Sequence, residues 1–233
     1  MLNKLKEEVL KANITLYESG LVIHTWGNVS GIDYDNRLVV IKPSGIGYAT
    51  MKAIDMVLVD MDGKVIEGSL DPSSDTPTHL ELYRNFPTAG GIAHTHSRYA
   101  TAWAQAGISI PAMGTTHADH FYGDVPCTRK LEPSEVENDY ELNTGKVISE
   151  TFRSLDASAI PAVLVNDHGP FVWGKTPMEA VRNAIALEEI ARMAFMTYSL
   201  AGNDRIDQAL LEKHYKRKHG DNAHYGQKKN KNK

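Results

Sequence analysis

Leu2, Leu5, Val9, Ala12 and Leu16 recur at spacings of three and four, which predicts an amphipathic helix buried along one face. After it the period shortens. HTWGNVSGID, RLVVIKPSG and MVLVDMDGKVIEG are rich in β-branched residues and broken by turn dipeptides. Asp62-Gly63, between VLVDM and KVIEG, is a hairpin signal, so part of the sheet is expected to be antiparallel. Helix and strand then alternate. Residues 77–85 predict a helix with Pro77 in its first turn, GGIAHTH a short buried strand, and SRYATAWAQAG a helix ended by Gly107. VPCTRK reads as a short strand, TGKVISETFRSL as a helix, and AVLVNDHGPFVWG as two strands folded about Asp167-His168-Gly169. Residues 177–200, opened by Pro177, predict the longest helix, residues 204–219 the last one, and KKNKNK a solvated tail.

Length and composition narrow the class. The 233 residues, 42% hydrophobic and 23% charged, suit a globular chain with a sizeable core. No linker, repeat or low-complexity block divides it before the tail, so one α/β domain is expected. Charge is uneven: residues 212–233 hold eight Lys/Arg against two Asp/Glu, leaving residues 1–211 at a net −10. An acidic body argues against a nucleic-acid binder. The single cysteine, Cys127, excludes an intrachain disulfide and a Cys-rich zinc module and suits a reducing compartment. The first residues carry charges throughout where a signal peptide needs an apolar stretch, and no run is long enough to span a bilayer. A cytoplasmic protein without membrane partners is expected.

Several short runs carry chemistry. Residues two apart on a strand face the same way, so His94 and His96 can present two imidazoles to one metal ion. His168, in the Asp-His-Gly-Pro turn, offers a third, and three imidazoles with an open fourth position are a common zinc set. A pair of core histidines is the plainer alternative, and among ten histidines His24 and His79 are expected bystanders. Asp75, in Ser73-Ser74-Asp75-Thr76-Pro77, is a carboxylate that could instead cap the following helix. Thr25–Ser30 and Ile41–Gly45 end strands with small, donor-rich residues, and Lys42 adds a positive charge. Together with the polar run before residue 77, these loops suggest a phosphorylated small molecule. Gly114–His120 is a polar cluster whose Asp119 is a candidate acid/base or a turn residue. His214, His219, His224 and Tyr225 make the C-terminal segment unusually aromatic for a tail, which suggests that it docks on a neighbouring subunit.

Thr25-Trp26-Gly27-Asn28-Val29-Ser30, Ile41-Lys42-Pro43-Ser44-Gly45, Ser73-Ser74-Asp75-Thr76, His94-Thr95-His96 and Asp167-His168-Gly169-Pro170 together resemble the class II aldolase/epimerase family, in its order, up to Tyr225-Gly226-Gln227. The resemblance implies a single three-layer α/β/α domain with a mostly antiparallel central sheet over residues 1–227, followed by a basic tail at 228–233. It implies one divalent metal per subunit, usually zinc, held by Asp75, His94, His96 and His168. It places substrate and phosphate at Gly27, Asn28, Lys42, Ser44, Gly45, Ser73 and Ser74. Asp119 and Tyr225 correspond to the acid/base groups, Tyr225 reaching an adjacent subunit's site in a homotetramer, and His214 to an accessory position. The family's fuculose-phosphate aldolases carry Glu where this chain has Asp75, which with the Thr-His-Ala-Asp run points to the epimerase branch. The expected substrate is then a small phosphorylated ketopentose inverted at C4, in pentose (L-arabinose or L-ascorbate) breakdown.

That chemistry is self-consistent. In a 2-ketopentose phosphate, removing the C4 proton would give an unstabilised carbanion, whereas breaking C3–C4 leaves an enediolate that a divalent metal stabilises. Rotation of the released aldehyde followed by re-addition inverts C4. The alternatives are an aldolase that releases its fragments, a metal-dependent hydrolase, whose usual barrel is larger than this chain, and a non-catalytic adducin-like member, in which metal ligands would be expected to be lost.

Overall fold

A computed structural model describes residues 2–202, 204–220 and 223. The chain forms α1 (Leu2–Glu18), β1 (Gly27–Asp33), β2 (Leu38–Ile41), β3 (Val57–Asp60), β4 (Val65–Glu67), α2 (Thr76–Asn85), β5 (Gly91–Thr95), α3 (Arg98–Ala106), α4 (Thr115–Ala118), α5 (Pro133–Glu137), α6 (Tyr140–Thr151), β6 (Ala162–Val165), β7 (Gly169–Gly174), α7 (Pro177–Ala201) and α8 (Gln208–His219). The seven strands make one sheet in the order β4-β3-β2-β1-β5-β7-β6, and every neighbouring pair is antiparallel. The expected hairpin at Asp62-Gly63 joins β3 to β4, closed by the Gly63 amide donating to the Asp60 carbonyl.

Alternation along the strands sends side chains into two separate cores. Val40, Leu58, Ala93, Leu164 and Val172 pack with Val9, Ala12 and Leu16 of α1, Trp103 of α3 and Leu187 of α7. Val39, Ile41, Val59, Ile92, Val163, Phe171 and Trp173 face the other way, against Leu80 and Tyr83 of α2 and Ile148 of α6. The result is one domain of three layers, helices on both faces of an antiparallel sheet, as the sequence implied. Strands buried on both faces are continuously apolar, as in LVVI of β2. Among the described residues no helix is long and apolar enough to cross a membrane.

Several elements depart from expectation, among them α5, for which no helix is predicted, and α8, which starts at Gln208 where 204 is expected. VPCTRK makes only isolated bridges, Ile110 with Val125 and Cys127 with Leu164. Pro126 has no N–H to donate to a ladder, which breaks the segment as a strand. The sixth helix begins at Tyr140, four residues before the expected Thr144, and ends at Thr151. Gly114–His120, expected as a loop, contains the single turn α4.

Candidate metal centre

The ends of four strands converge on one cavity of about 550 Å³. Gly27 opens β1 opposite Thr95, and Asn28 lies opposite His94. Gly27 has a φ of +131°, and a Cβ there would stand 2.7 Å from the His94 carbonyl, so only glycine permits this close approach. His94 is the last residue but one of β5, while His96 lies one residue beyond the strand end and remains exposed. His168 enters from the turn between β6 and β7, after Asp167 at a left-handed φ of +61°.

The ligand atoms of His94, His96 and His168 all lie within 4.8 Å of one another, with His94 Nε2 and His96 Nε2 3.1 Å apart. Two nitrogens on one tetrahedral zinc at about 2.0–2.1 Å would be about 3.3 Å apart, so this pair fits a shared ion. Partial desolvation of its ring, on a residue otherwise exposed, pushes His96 down to about 4, and burial pushes His168 down to about 3, in both cases reinforced by the neighbouring imidazoles. Both are therefore neutral at neutral pH, with lone pairs free for a metal. His94 Nδ1 lies 3.0 Å from the Pro170 carbonyl, which requires that nitrogen to carry the proton and leaves Nε2 bare. Donor type, spacing and protonation suit a divalent metal.

Asp75 stands apart from this trio. It occupies the position before α2 yet makes no capping hydrogen bond. Its Oδ2 instead accepts from Asn28 Nδ2 at 2.6 Å. Burial opposes its ionisation, but His94, His79 and the Asn28 amide outweigh that, and its pKa lies below the usual carboxylate value. Asn28 Nδ2 also donates to Ser73 Oγ at 3.0 Å, while the buried Asn28 Oδ1 has no partner among the described residues.

Lys42, Ser44, Gly45, Ser73 and Ser74 line the same cavity. Their two loops are tied together by Ser44 N donating to the Asp71 carbonyl and Ser73 N donating to the Lys42 carbonyl. Lys42 is 2% exposed. Its Nζ donates to the Pro43 carbonyl at 3.1 Å and sits 4.9 Å from the centre of the Tyr48 ring. Burial pushes its pKa down to about 8, and among the described residues no carboxylate pairs with it. A buried cation in a cavity also lined by Ser44, Ser73 and Ser74 is chemistry that can bind an anion.

Two lining residues escaped the sequence reading, Tyr140 and Glu141 at the start of α6. Tyr140 Oη lies 3.2 Å from His168 Nδ1. The polar Asn138-Asp139 pair just ahead was the available signal for an earlier helix start. Of the expected bystanders, His24 lies exposed in the loop before β1. His79 is fully buried, its Nδ1 2.7 Å from Ser30 Oγ.

Asp119 does not line this cavity. It packs on α8, where His214 Nδ1 lies 3.1 Å, Arg217 Nη2 3.0 Å and Lys218 Nζ 3.2 Å from its carboxylate. Burial raises its pKa, but Arg217, His214 and Lys218 outweigh this and hold it below the usual value. Its neighbour His120 lines a different cavity of about 400 Å³ with Trp173 and Gly174, at the end of β7 remote from Gly169. His214 is thus beside Asp119, a pairing the sequence did not predict, and neither lines the cavity of the imidazoles within one chain. Tyr225 lies outside the described residues.

Comparison with known proteins agrees with this architecture. Residues 7–195 match the model of the Class II Aldolase and Adducin N-terminal domain. The structure is similar to an L-fuculose 1-phosphate aldolase, with a TM-score of 0.78 and 26% identity over 92% of this chain and 95% of that one. It is also similar to YgbL of Klebsiella pneumoniae, a putative aldolase/epimerase/decarboxylase, with a TM-score of 0.73 and 26% identity over 91% and 98% of the two chains. The L-fuculose-1-phosphate aldolase of Thermus Thermophilus shares the fold, with a TM-score of 0.66 and 24% identity over 86% and 97%. With most of its length matched and three imidazoles gathered where four strand ends meet, this chain belongs to the class II aldolase and adducin family.

Proposed function

We propose that the chain is a metal-dependent sugar-phosphate enzyme that inverts C4 of L-ribulose 5-phosphate to give D-xylulose 5-phosphate. The observation that carries it is the shared cavity, which is lined both by three clustered imidazoles and by a Lys42 without a carboxylate partner among the described residues, together with Ser44, Ser73 and Ser74. His94, His96 and His168, with Asp75 as the remaining protein ligand, would hold one divalent metal, zinc by the set of three imidazoles and one carboxylate. Bound there, the metal supplies Lewis acidity for a carbonyl and its neighbouring hydroxyl. Lys42, Ser44 and Ser73 would bind the phosphate, and Asn28 and Gly27 the sugar oxygens. Proton removal from the C4 hydroxyl breaks C3–C4, giving glycolaldehyde phosphate and the enediolate of dihydroxyacetone. Turning the aldehyde over and re-forming the bond with protonation of the new hydroxyl inverts C4 with no net loss of atoms.

Proton transfer on the two faces requires two groups. We assign these to Asp119 and Tyr225 of neighbouring subunits in a homotetramer, because Asp119 stands outside the cavity of its own chain. His214, against the Asp119 carboxylate, would orient it.

A second possibility, net aldol cleavage, is favoured by the similarity to an L-fuculose 1-phosphate aldolase. The Asp at position 75, where the resemblance puts Glu in such aldolases, argues for epimerisation. The test is to incubate the metal-loaded protein with L-ribulose 5-phosphate. D-xylulose 5-phosphate without accumulation of free dihydroxyacetone supports epimerisation. Stoichiometric fragments, or faster cleavage of L-fuculose 1-phosphate, support the aldolase. Mixing Asp119→Asn with Tyr225→Phe subunits should restore activity that neither variant has alone, and no recovery would refute sites shared between chains.

A further inference from the structure

Of the three clustered imidazoles, two are anchored through their second ring nitrogen. His94 Nδ1 is anchored by the Pro170 carbonyl, a main-chain group that no side-chain substitution removes. His168 Nδ1 is anchored by a side chain, with Tyr140 Oη at 3.2 Å and the two rings 29° from parallel. Both ends of this contact follow a residue in a costly conformation. Asp139, before Tyr140, has φ +50°, and Asp167, before His168, has φ +61°, the left-handed region that side-chain-bearing residues seldom occupy. The Asp139 side chain makes no capping hydrogen bond to α6, so capping does not account for its conformation. Gly169, on the other side of His168, would place a Cβ 2.8 Å from the Thr95 carbonyl, which leaves the turn no room to swing toward β5. Strained backbone that persists at two facing joints indicates a contact selected for its geometry.

We propose that Tyr140 is a positioning residue for the metal centre, its phenol oxygen accepting from His168 Nδ1–H and so aiming the Nε2 lone pair at the space shared with His94 and His96, a role that rests on the metal centre proposed above. If Tyr140 donated to a bare Nδ1 instead, Nε2 would carry the proton and His168 could not ligate. With the phenol as acceptor, His168 is held in the ligating tautomer before any ion arrives. Groups that anchor a ligating imidazole in this way typically change metal affinity about 10- to 100-fold when removed.

Tyr140→Phe keeps the ring and removes only the oxygen. In the metal-free wild type, nitrogen-resolved NMR of the imidazoles should show His168 as the Nδ1–H tautomer, and in Tyr140→Phe the population should move toward Nε2–H. In chelator competition with Zn²⁺ alone, Tyr140→Phe should bind about 10- to 100-fold more weakly, while kcat at saturating Zn²⁺ falls much less. Thermal unfolding of the metal-free variant should match the wild type, which a merely structural tyrosine would not allow. An Nε2–H tautomer in the wild type, or equal Zn²⁺ affinity in a variant of a tightly binding wild type, would overturn the role of Tyr140 alone. A wild-type chain that holds no Zn²⁺ would overturn the metal centre, and this role with it.

Discussion

Asp119 is clamped by His214, Arg217 and Lys218 from a single helix, whereas Lys42, more deeply buried, meets no carboxylate among the described residues. Both regions draw titratable side chains out of water, and they offset the cost differently. Around Asp119 the compensation is internal: opposite charges converge, and the carboxylate is held ionised. In the metal cavity it is deferred. His96 and His168 stay neutral, Lys42 is pushed toward neutrality, and Asn28 Oδ1 is left without a partner. Native proteins seldom leave buried polar groups unsatisfied, so the second pattern supports the ligand sites proposed above. The first is satisfied within the chain by His214, Arg217 and Lys218.

The largest expected effect breaks the deferred side of this contrast. His96→Asn removes one of the paired nitrogens 3.1 Å apart. Metal content by elemental analysis should fall to background and turnover should be lost, while the metal-free protein remains folded, because His96 is exposed and outside β5. Full metal occupancy in this variant would remove His96 from the ligand set.

Next comes the compensated side. Asp119→Asn keeps the shape but discharges the centre of the α8 clamp. Turnover should fall about 10²- to 10⁴-fold, the usual loss for a group that moves a proton in the transition state, with metal content unchanged. A purely structural Asp119 predicts something else, a loss of activity that tracks loosening of α8. Thermal unfolding and specific activity measured on the same samples separate the two.

The legibility of these regions in the sequence differs for physical reasons. His94, His96 and His168 could be grouped because a strand and a tight turn have short-range signatures, and the His-x-His spacing survives even though β5 ends at Thr95. The double-faced burial of the sheet was expected only from the family resemblance, although apolar runs such as AVLV of β6 carry it physically. The Asp119 clamp was not legible as a clamp. Arg217 lies 98 positions away, and only the packing of α4 against α8 brings them together; in the sequence those cations fall in the last predicted helix, with nothing local to tie them to Asp119. Tyr140 was missed because the Thr144-Gly145 pair interrupts the helical pattern. Gly145 lies inside α6 because α2 passes so close that a Cβ would stand 2.6 Å from Glu81 Cβ, a tertiary demand that overrides local propensity.

The smallest effect sharpens the comparison most, because it separates function from stability in one residue. Lys42 falls from 10.5 in the free side chain to about 8 when buried, which corresponds to roughly 3 kcal/mol disfavouring the charged native form. The sign follows from proton counts. Below pH 8 both folded and unfolded chains carry the proton, and the full penalty of burying the ammonium applies. Between about 8 and 10.5 the unfolded chain binds a proton that the folded chain does not, so this group's contribution to stability rises with pH. Lys42→Met removes the penalty. In urea unfolding at pH 7 the variant should be more stable than the wild type by up to about 3 kcal/mol, and the gap should close as the pH approaches 10. In return the variant should show a steeply raised KM for the phosphorylated ketose with unchanged metal content. A phosphate bound by the wild type should narrow the stability gap at pH 7, since the ligand supplies the counter-charge that the chain withholds. If Lys42→Met is less stable than the wild type at pH 7, or if the gap does not change with pH, the amine is compensated within the chain after all, and the cavity would resemble the Asp119 cluster rather than contrast with it.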